Sequence, residues 1–391
     1  MMGRSGNAVD CACGKAKSFA IDLLWLRSGK VGGSESFARN LIQGLLDTSD
    51  EFTCYLLASL DEIDSFRRYE KDPRFICVSC DVRSETIGRR IVWENLHLGK
   101  LLREQGIRTL LEPVYSLPIL GMRGVECYTV IHDIQAVHFP QYFSKGKRLW
   151  LELSWKMDGY HSRKVIATTE YSRNDIGARY PKIKGKLTTI PIPISMNKAA
   201  ASEDSENWKE LGVKTEGYYY IVSSLLPHKN LLTVVQAMAL IPEEERRVLM
   251  ISGVGGDQEQ QLLEEIEKLR LSKYVKLLPF VSNEMRNLFY QNCAVFLFPS
   301  IFEGFGMPPV EALMMERPVI TTRCTSLEEV TLGLAEYVEQ PSDPQEWAKA
   351  IMEVQNRKPD KEKAVRIRKE LEKQYQPVSI AEHYLKEMGI A

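Results

Sequence analysis

The chain has 391 residues, of which 44% are hydrophobic and 26% charged, so it can form two soluble domains with separate cores. No apolar run approaches the roughly 20 residues that a membrane-spanning helix needs. The net charge of −1 conceals an asymmetry, because residues 1–195 carry 28 Lys and Arg against 22 Asp and Glu. The basic half suggests an anionic partner, and a chance imbalance on solvated surface is the alternative.

The first part of the chain predicts a strand, a glycine loop and a helix. Residues 1–17 are small and polar and lack the apolar region of a signal peptide, so we predict a disordered start. A buried strand is predicted over residues 18–26, and the loop that follows contains Gly32 and Gly33. These glycines would let a ligand approach the backbone closely, and Ser34 is the expected helix N-cap. The loop is not a G-x-G-x-x-G fingerprint, and simple turn chemistry is the alternative.

Short apolar runs alternate with helical patterns through the rest of the first half. This alternation predicts parallel βαβ units, that is, a doubly wound α/β fold. One strand ends at His132, and strand ends of such sheets face the ligand crevice, although a structural histidine is the alternative. Cys77 and Cys80 form a C-x-x-C, but they lie in a strand context without a second pair, which argues against zinc.

The middle of the chain contains a basic aromatic segment and then a domain boundary. Residues 143–157 interleave basic residues with Trp150 and Trp155, which fits a peripheral contact with an anionic bilayer. A helix packed on the sheet with its lysines in water is the alternative. A polar stretch predicts separate domains over residues 18–195 and 196–376. Residues 377–391 are predicted as an amphipathic helix that packs back on the first domain.

Two strand ends in the second half carry residues suited to a diphosphate and a sugar. Lys229 stands between a strand and a helix start, where an anion is favoured. A second such strand, residues 294–298, precedes Glu303, two glycines, an exposed-looking Phe305 and a helix opened by prolines. An acid in an anion-binding loop is suited to hydroxyls rather than to phosphate. Glu303 and Glu311 therefore favour a nucleotide sugar as the ligand.

These segments resemble the family-4 glycosyltransferases, whose GT-B fold has two Rossmann-like domains facing a central cleft. The resemblance is carried, in chain order, by Gly32-Gly33, His132-Asp133, Thr169-Glu170-Tyr171-Ser172, Pro227-His228-Lys229-Asn230 and Glu303-Gly304-Phe305-Gly306-Met307-Pro308-Pro309-Val310-Glu311-Ala312. The last segment is long and specific, and the order and spacing of the others support it.

The resemblance implies a retaining transfer from a nucleotide-activated sugar, with no cofactor and no bound metal. Its expected catalytic residues are Lys229 on the donor diphosphate, Glu303 on sugar hydroxyls near the anomeric carbon, and His132 against the sugar. Glu311 is implied to hold the ribose hydroxyls. The other expected donor-binding residues are Gly33, Ser223, His228, Val281, Gly304, Phe305, Gly306 and Met307.

Some residues depart from the family's pattern. The arginine often found near the diphosphate lysine is absent, and His228, a residue that can be protonated, precedes Lys229 instead. Ser223 and Ser224 stand where the family usually has glycine and then arginine or serine. The sequence contains no Asp-x-Asp, so lysine and helix dipoles must neutralise the diphosphate. An inactive homologue is therefore an alternative.

The sequence thus predicts transfer of a hexose to a saccharide acceptor in surface polysaccharide, lipopolysaccharide or glycolipid synthesis. Mannose from GDP-mannose, or a UDP-sugar, is favoured among GDP-, UDP- and dTDP-linked donors. The family's habits imply a polyprenyl-diphosphate-linked acceptor and a cytoplasmic enzyme at an anionic membrane surface. A soluble-acceptor sugar synthase and a non-catalytic nucleotide-binding homologue are the alternatives. Nucleic acid is disfavoured as a partner, because the basic residues are dispersed and no recognition motif accompanies them.

Overall fold

The computed structural model describes residues 17–114, 118, 120–196, 215–253, 255 and 259–391. These residues form two α/β domains, each built on one parallel sheet. Most of the predicted disordered start and of the polar stretch at the predicted boundary lies outside the described residues. No helix in the described part of the chain has the length and apolar character needed to cross a membrane.

The first domain has a seven-stranded parallel sheet of order β3-β2-β1-β4-β5-β6-β7. Its strands are β1 Lys17–Asp22, β2 Phe52–Ser59, β3 Phe75–Cys80, β4 Thr109–Glu112, β5 Glu126–Ile131, β6 Lys164–Ala167 and β7 Leu187–Thr189. Its helices are α1 Gly33–Asp47, α2 Ile87–Trp93, α3 Gly99–Glu104, α4 Gln135–His138, α5 Lys145–His161 and α6 Glu170–Arg179. A π-helical turn, Glu94–Leu98, joins α2 to α3.

The second domain has a six-stranded parallel sheet of order β10-β9-β8-β11-β12-β13. Its strands are β8 Tyr218–Val222, β9 Val248–Ser252, β10 Val275–Leu278, β11 Val295–Phe298, β12 Val319–Thr322 and β13 Glu336–Val338. The helices of the second half are α7 Leu231–Leu240, α8 Glu259–Lys268, α9 Asn283–Asn292, α10 Met307–Met314, α11 Leu327–Val330, α12 Pro344–Gln355, α13 Lys361–Tyr375 and α14 Pro377–Glu387.

The strand order of both sheets fixes where a ligand can bind. Parallel sheets are covered on both faces, so their strands are continuous apolar runs, and every residue of β11 is buried. The order reverses between β1 and β4 in the first sheet and between β8 and β11 in the second. Loops that leave the carboxyl ends of such strand pairs diverge and open a crevice. The functional loops are therefore expected at these two edges.

The end of the chain contacts both domains. Helix α13 packs against α10 of the second domain, and α14 packs against α1 of the first. The contact between α14 and α1 is close, since a Cβ added to Gly44 would lie 2.2 Å from the carbonyl oxygen of Pro377. Any side chain at position 44 would force the two helices apart. The C-terminal segment thus links the two domains.

Two predicted boundaries near the first loop are wrong. Strand β1 ends at Asp22 instead of continuing to residue 26, because the Asp22 carboxylate accepts a hydrogen bond from the Leu24 N–H and turns the chain. Helix α1 begins at Gly33 with Gly32 as its N-cap, so Ser34 lies inside the helix. Gly32 has a φ of 59°, a left-handed value that costs glycine little and other residues more.

Buried acids lie at the carboxyl ends of β1 and β4. Asp22 and Glu112 end these strands, and the side chain of Glu94 lies near Asp22, with each of the three residues at most 1% exposed. Arg90 Nη1 donates a hydrogen bond to Glu94 Oε1 at 3.2 Å. Burial, and then the charge of Asp22, raises the pKa of Glu94 to about 8, and burial also raises the pKa of Glu112. This cluster was not predicted from the sequence.

The raised pKa of Glu94 predicts a stability that falls with rising pH. Between about pH 4.5 and pH 8 the unfolded chain ionises this carboxyl while the folded chain keeps it protonated, so the free energy of unfolding decreases across that window. Glu94→Gln removes the titrating group and keeps an acceptor oxygen for Arg90. We expect the variant to gain stability relative to the wild type at pH 8 and to gain little at pH 5.

Urea unfolding of both proteins at the two pH values checks this prediction. The control is Glu353→Gln in α12, since the Glu353 side chain is 59% exposed and should leave the pH dependence unchanged. An identical decrease of stability with pH in the wild type and in Glu94→Gln would contradict the assignment of this dependence to Glu94.

Candidate active site

Two loops of the second domain meet where its strand order reverses. The loop after β8 ends in a 3₁₀ turn, Pro227–Lys229, and the loop after β11 leads to α10. The Ile301 N–H donates to the carbonyl of His228 at 2.8 Å, and Ser300 Oγ donates to the same carbonyl at 3.3 Å. These bonds hold the lysine-bearing turn against the glutamate-bearing loop.

Lys229 and Glu303, two of the three predicted catalytic residues, are in direct contact. Lys229 Nζ donates to Glu303 Oε1 at 2.6 Å, and the side chains are only 17% and 13% exposed. Thr325 holds the backbone of Glu303, since its Oγ1 accepts from the Glu303 N–H and donates to the Glu303 carbonyl, each at 3.0 Å. The pair places a cation for phosphate beside an acceptor for hydroxyl groups.

Gly304 is the point at which this loop touches the first domain. Its carbonyl accepts hydrogen bonds from Thr169 Oγ1 at 2.9 Å and from Ser172 Oγ at 3.1 Å. A Cβ at position 304 would lie 2.5 Å from the carbonyl oxygen of His132 and 2.9 Å from the Cβ of Asp133. Only glycine permits this approach, which brings the predicted His132-Asp133 segment against the loop of the second domain.

His132 is a neutral histidine with an assigned tautomer. Its Nε2 lies 3.1 Å from the carbonyl oxygen of Pro113, so Nε2 carries the proton and donates it. Burial lowers the pKa of His132 to about 4. The ring of Phe37 packs edge-on at 5.1 Å. At neutral pH the remaining nitrogen, Nδ1, can accept a hydrogen bond from a hydroxyl group, but the ring carries no charge.

The first residues of α1 and α10 face each other across the two domains. A Cβ added to Gly33 would lie 4.0 Å from Met307 Sδ. Gly306, the N-cap of α10, has a φ of 89°, and a Cβ there would lie 2.6 Å from Leu327. The positive ends of two helix dipoles therefore approach the same cleft, which favours an anion between them.

Two expectations about side chains of these loops are wrong. Phe305, expected to be exposed, is 4% exposed, and its ring packs at 5.5 Å from Tyr375 of α13. Its side chain therefore supports the loop from behind. His228, considered as a second cation, is neutral, because burial and the charge of Lys229 lower its pKa to about 3.

The remaining predicted donor residues lie in other surroundings. Ser223 follows β8 and donates through Oγ to the carbonyl of Ser224 at 3.0 Å. Val281 is partly buried against the core, while the neighbouring Phe280 is 70% exposed. The segment of residues 279–281 thus presents an aromatic ring to solvent, and a base can stack on such a ring.

Glu311, the predicted ribose ligand, belongs to a buried network with α9. It is 4% exposed, and its Oε2 accepts a hydrogen bond from the Tyr290 hydroxyl at 2.8 Å. Arg286 Nη2 lies 3.8 Å from its Oε1. The structure therefore joins Glu311 to α9 side chains, and records no contact between its carboxylate and the Lys229–Glu303 pair.

Sequence reasoning missed the side chains that hold the two domains together. The ring of Phe302 lies 5.2 Å from His138 and 5.4 Å from Phe139 of the first domain. The Glu329 carboxylate accepts hydrogen bonds from the first two backbone N–H groups of α6, at 2.7 and 3.1 Å. Gln135 Nε2 lies 2.9 Å from His228 Nε2. In the sequence, only the family resemblance at residues 169–172 pointed to this interface, because these residues lie on its first-domain side.

Within the described ranges, no group of three His, Cys, Asp or Glu side chains is arranged to hold a metal ion. Cys77 is partly exposed and Cys80 is buried, both within β3.

Comparisons with known proteins identify the second domain. Residues 202–374 match the family described as glycosyl transferases group 1. The O-antigen chain mannosyltransferase B of Escherichia coli is 27% identical over 235 residues, which are 59% of this chain and 61% of that protein. The O-antigen chain mannosyltransferase RfbU of Salmonella typhimurium is 23% identical over 241 residues, 62% of this chain and 63% of that protein. The chain thus spans less than two thirds of each relative.

A solved structure identifies the architecture of the whole chain. Anabaena HepE in complex with UDP-glucose has a TM-score of 0.73 and 16% sequence identity, and the comparison covers 96% of this chain and 100% of that one. Both predictions made from the segments between Gly32 and Ala312, the fold and the family, are confirmed. Residues 202–374 thus form a group 1 glycosyl transferase domain, and the chain has the GT-B fold of two parallel-sheet α/β domains.

Proposed function

We propose that this protein is a retaining glycosyltransferase that moves a hexose from a nucleotide sugar to a saccharide acceptor. The observation that carries the proposal is the contact of Lys229 with Glu303, 2.6 Å from Nζ to Oε1. It lies on two loops of a group 1 glycosyl transferase domain. The ammonium would exchange this partner for the donor diphosphate, which frees the carboxylate to accept hydrogen bonds from the sugar.

Mannose is the proposed hexose. The names of both curated relatives describe them as O-antigen chain mannosyltransferases, which supports this choice. The proposed nucleotide is GDP. A direct comparison of GDP-, UDP- and dTDP-linked donors tests this choice against the other two. HepE was solved with UDP-glucose, so nucleotide sugars occupy a protein of this fold. All three nucleotides present the same diphosphate to Lys229.

The proposed chemistry needs no metal. The bond between the anomeric carbon and the diphosphate oxygen breaks, and the acceptor oxygen bonds to the anomeric carbon on the same face. The acceptor proton passes to an oxygen of the leaving diphosphate. Lys229 and the first turns of α1 and α10 supply the positive potential that the leaving group needs. His132, with its pKa lowered to about 4, acts as a neutral hydrogen-bond partner.

Replacing either member of the central pair should abolish transfer. Lys229→Ala removes the diphosphate cation, and Glu303→Gln removes the charged acceptor for sugar hydroxyls. We expect kcat/KM to fall by about 10²–10³-fold in each case, the usual effect of losing one preorganised charged contact. Turnover of GDP-mannose with a saccharide acceptor is followed by NMR in the presence of EDTA, which also reports the anomeric configuration of the product.

The matched control is Lys349→Ala in α12, since the Lys349 side chain is 76% exposed. This variant should transfer as the wild type does. Full activity of both site variants would refute the assignment of the site. An inverted product would refute retention, and loss of turnover in EDTA would refute metal independence.

A lipid-linked acceptor at the cytoplasmic face of a membrane is the second part of the proposal. Helix α5 exposes Leu149 to 71%, Leu153 to 51% and Tyr160 to 54%, on one helical stripe among basic residues. Trp155 is 2% exposed, so the predicted role of this tryptophan at the bilayer is wrong. The exposed leucines and lysines fit an anionic lipid surface.

Removing the two leucines should weaken membrane binding. The protein is expected to co-sediment with vesicles that contain phosphatidylglycerol at low salt and to dissociate at high salt. Leu149→Ser combined with Leu153→Ser should lower the partition coefficient about tenfold or more, because each leucine loses its transfer into the acyl boundary.

Leu240→Ser in α7 serves as the control, because Leu240 is 50% exposed but lies in the second domain. It should co-sediment as the wild type does. If the wild type transfers mannose but does not co-sediment with anionic vesicles at low salt, the membrane proposal is refuted. A soluble acceptor is then the remaining proposal.

A further inference from the structure

His228 has one hydrogen-bonded nitrogen and one that lacks a partner. The residue is 4% exposed. Its Nε2 lies 2.9 Å from the side-chain nitrogen of Gln135, a residue of the first domain. Its Nδ1 is buried and has no hydrogen-bond partner in the described part of the chain. A buried polar atom left unpaired costs about 1–3 kcal/mol, so its retention needs an explanation.

The contact with Gln135 determines which nitrogen carries the proton. The structure places the amide nitrogen of Gln135 toward the ring, and since this nitrogen only donates, Nε2 of His228 is assigned as the acceptor. A neutral imidazole has one N–H, which is therefore on Nδ1. The ring stays neutral, because burial and the adjacent Lys229 charge lower the pKa of His228 to about 3. The unpaired atom is thus a hydrogen-bond donor.

This donor belongs to the turn that carries Lys229. Both residues lie in the 3₁₀ turn Pro227–Lys229, and the carbonyl of His228 is fixed by the N–H of Ile301 at 2.8 Å. The groups recorded around the ring are Gln135 at 2.9 Å, the charge of Lys229 and the ring of Phe139 at 6.3 Å. An acceptor for Nδ1–H is missing from this set.

We propose that His228 donates a hydrogen bond from Nδ1–H to the diphosphate of the nucleotide sugar, and that Gln135 selects the tautomer that can do so. The inference rests on the proposed function, since the acceptor is the diphosphate held by Lys229. The neutral Nδ1–H of His228 would thus contact the diphosphate where a second positively charged side chain is absent. Gln135 acts as a positioning residue, because it reaches the ligand only through His228.

The arrangement couples the donor site to contact between the domains. Gln135 belongs to the first domain and His228 to the second, so the tautomer is selected only while the two domains touch. If the domains part, the ring is free to place its proton on either nitrogen. Closure therefore completes the diphosphate site, and diphosphate binding favours closure by the same free energy.

Two substitutions of His228 separate the two ring nitrogens. The side-chain nitrogen of asparagine can occupy the position of Nδ1, whereas that of glutamine reaches the position of Nε2. We expect His228→Asn to bind GDP or UDP within about tenfold of the wild type, and His228→Gln to bind about 10–100-fold more weakly, the value of one hydrogen bond to a charged group. Isothermal titration with each nucleotide measures both.

The tautomer is measured directly by ¹⁵N NMR of the full chain labelled in its six histidines, with His228→Asn identifying the signal. We expect His228 to be the neutral Nδ1–H tautomer at about pH 6 and at about pH 8. The chemical shift of its Nδ1–H proton should change when nucleotide is added. Gln135→Leu should release this preference. Glu329→Ala, which removes a different domain contact, should keep it.

The outcomes distinguish the inference from the proposed function. An Nε2–H tautomer, or equal affinities of the asparagine and glutamine variants in a protein that transfers sugar, overturns the inference alone. If the wild type binds neither GDP nor UDP and transfers no sugar, the proposed function falls and the inference falls with it.

Discussion

The carbonyl oxygen of Gly304 accepts hydrogen bonds from Thr169 and Ser172 of the opposite domain, at 2.9 and 3.1 Å. The rest of the site depends on this contact, because it places His132 of the first domain against the loop that carries Glu303. A Cβ at position 304 would lie 2.5 Å from the His132 carbonyl oxygen, so a side chain there would separate the domains. Because Gly304 has no Cβ, the loop of the second domain can approach His132 closely, and the two domains form one cleft there.

The charges of Lys229 and Glu303 offset each other before a ligand arrives. Lys229 and Glu303 neutralise each other, while burial keeps His132 and His228 uncharged. A diphosphate brings negative charge, which one ammonium and the first turns of α1 and α10 must offset. On the proposed function, the site would rely on oriented N–H groups more than on cations, and such groups act only while the domains hold them in place.

The sequence predicted the fold and the local segments well, because both depend on short-range patterns. Apolar runs predicted the strands. The residues from Glu303 to Ala312 predicted the loop and helix after β11, where the strand order of the second sheet reverses. Apart from the docking of residues 377–391 and the gathering of the donor-site residues, contacts between distant side chains were not predicted. Three contacts can be deduced only once the strand order is known. They are the pairing of Gln135 with His228, the burial of Phe305 on Tyr375 and the acid cluster around Glu94. Their residues carry no periodic signal.

The central claim is that the second domain binds a nucleotide diphosphate through Lys229. The most direct measurement is the unfolding temperature of the wild type, Lys229→Ala and Lys349→Ala with GDP, UDP and dTDP. We predict that at least one nucleotide stabilises the wild type and Lys349→Ala, by about 2.7 kcal/mol at one hundred times its Kd, and has little effect on Lys229→Ala. An unchanged unfolding temperature with all three nucleotides, or an equal rise in Lys229→Ala, would contradict the account.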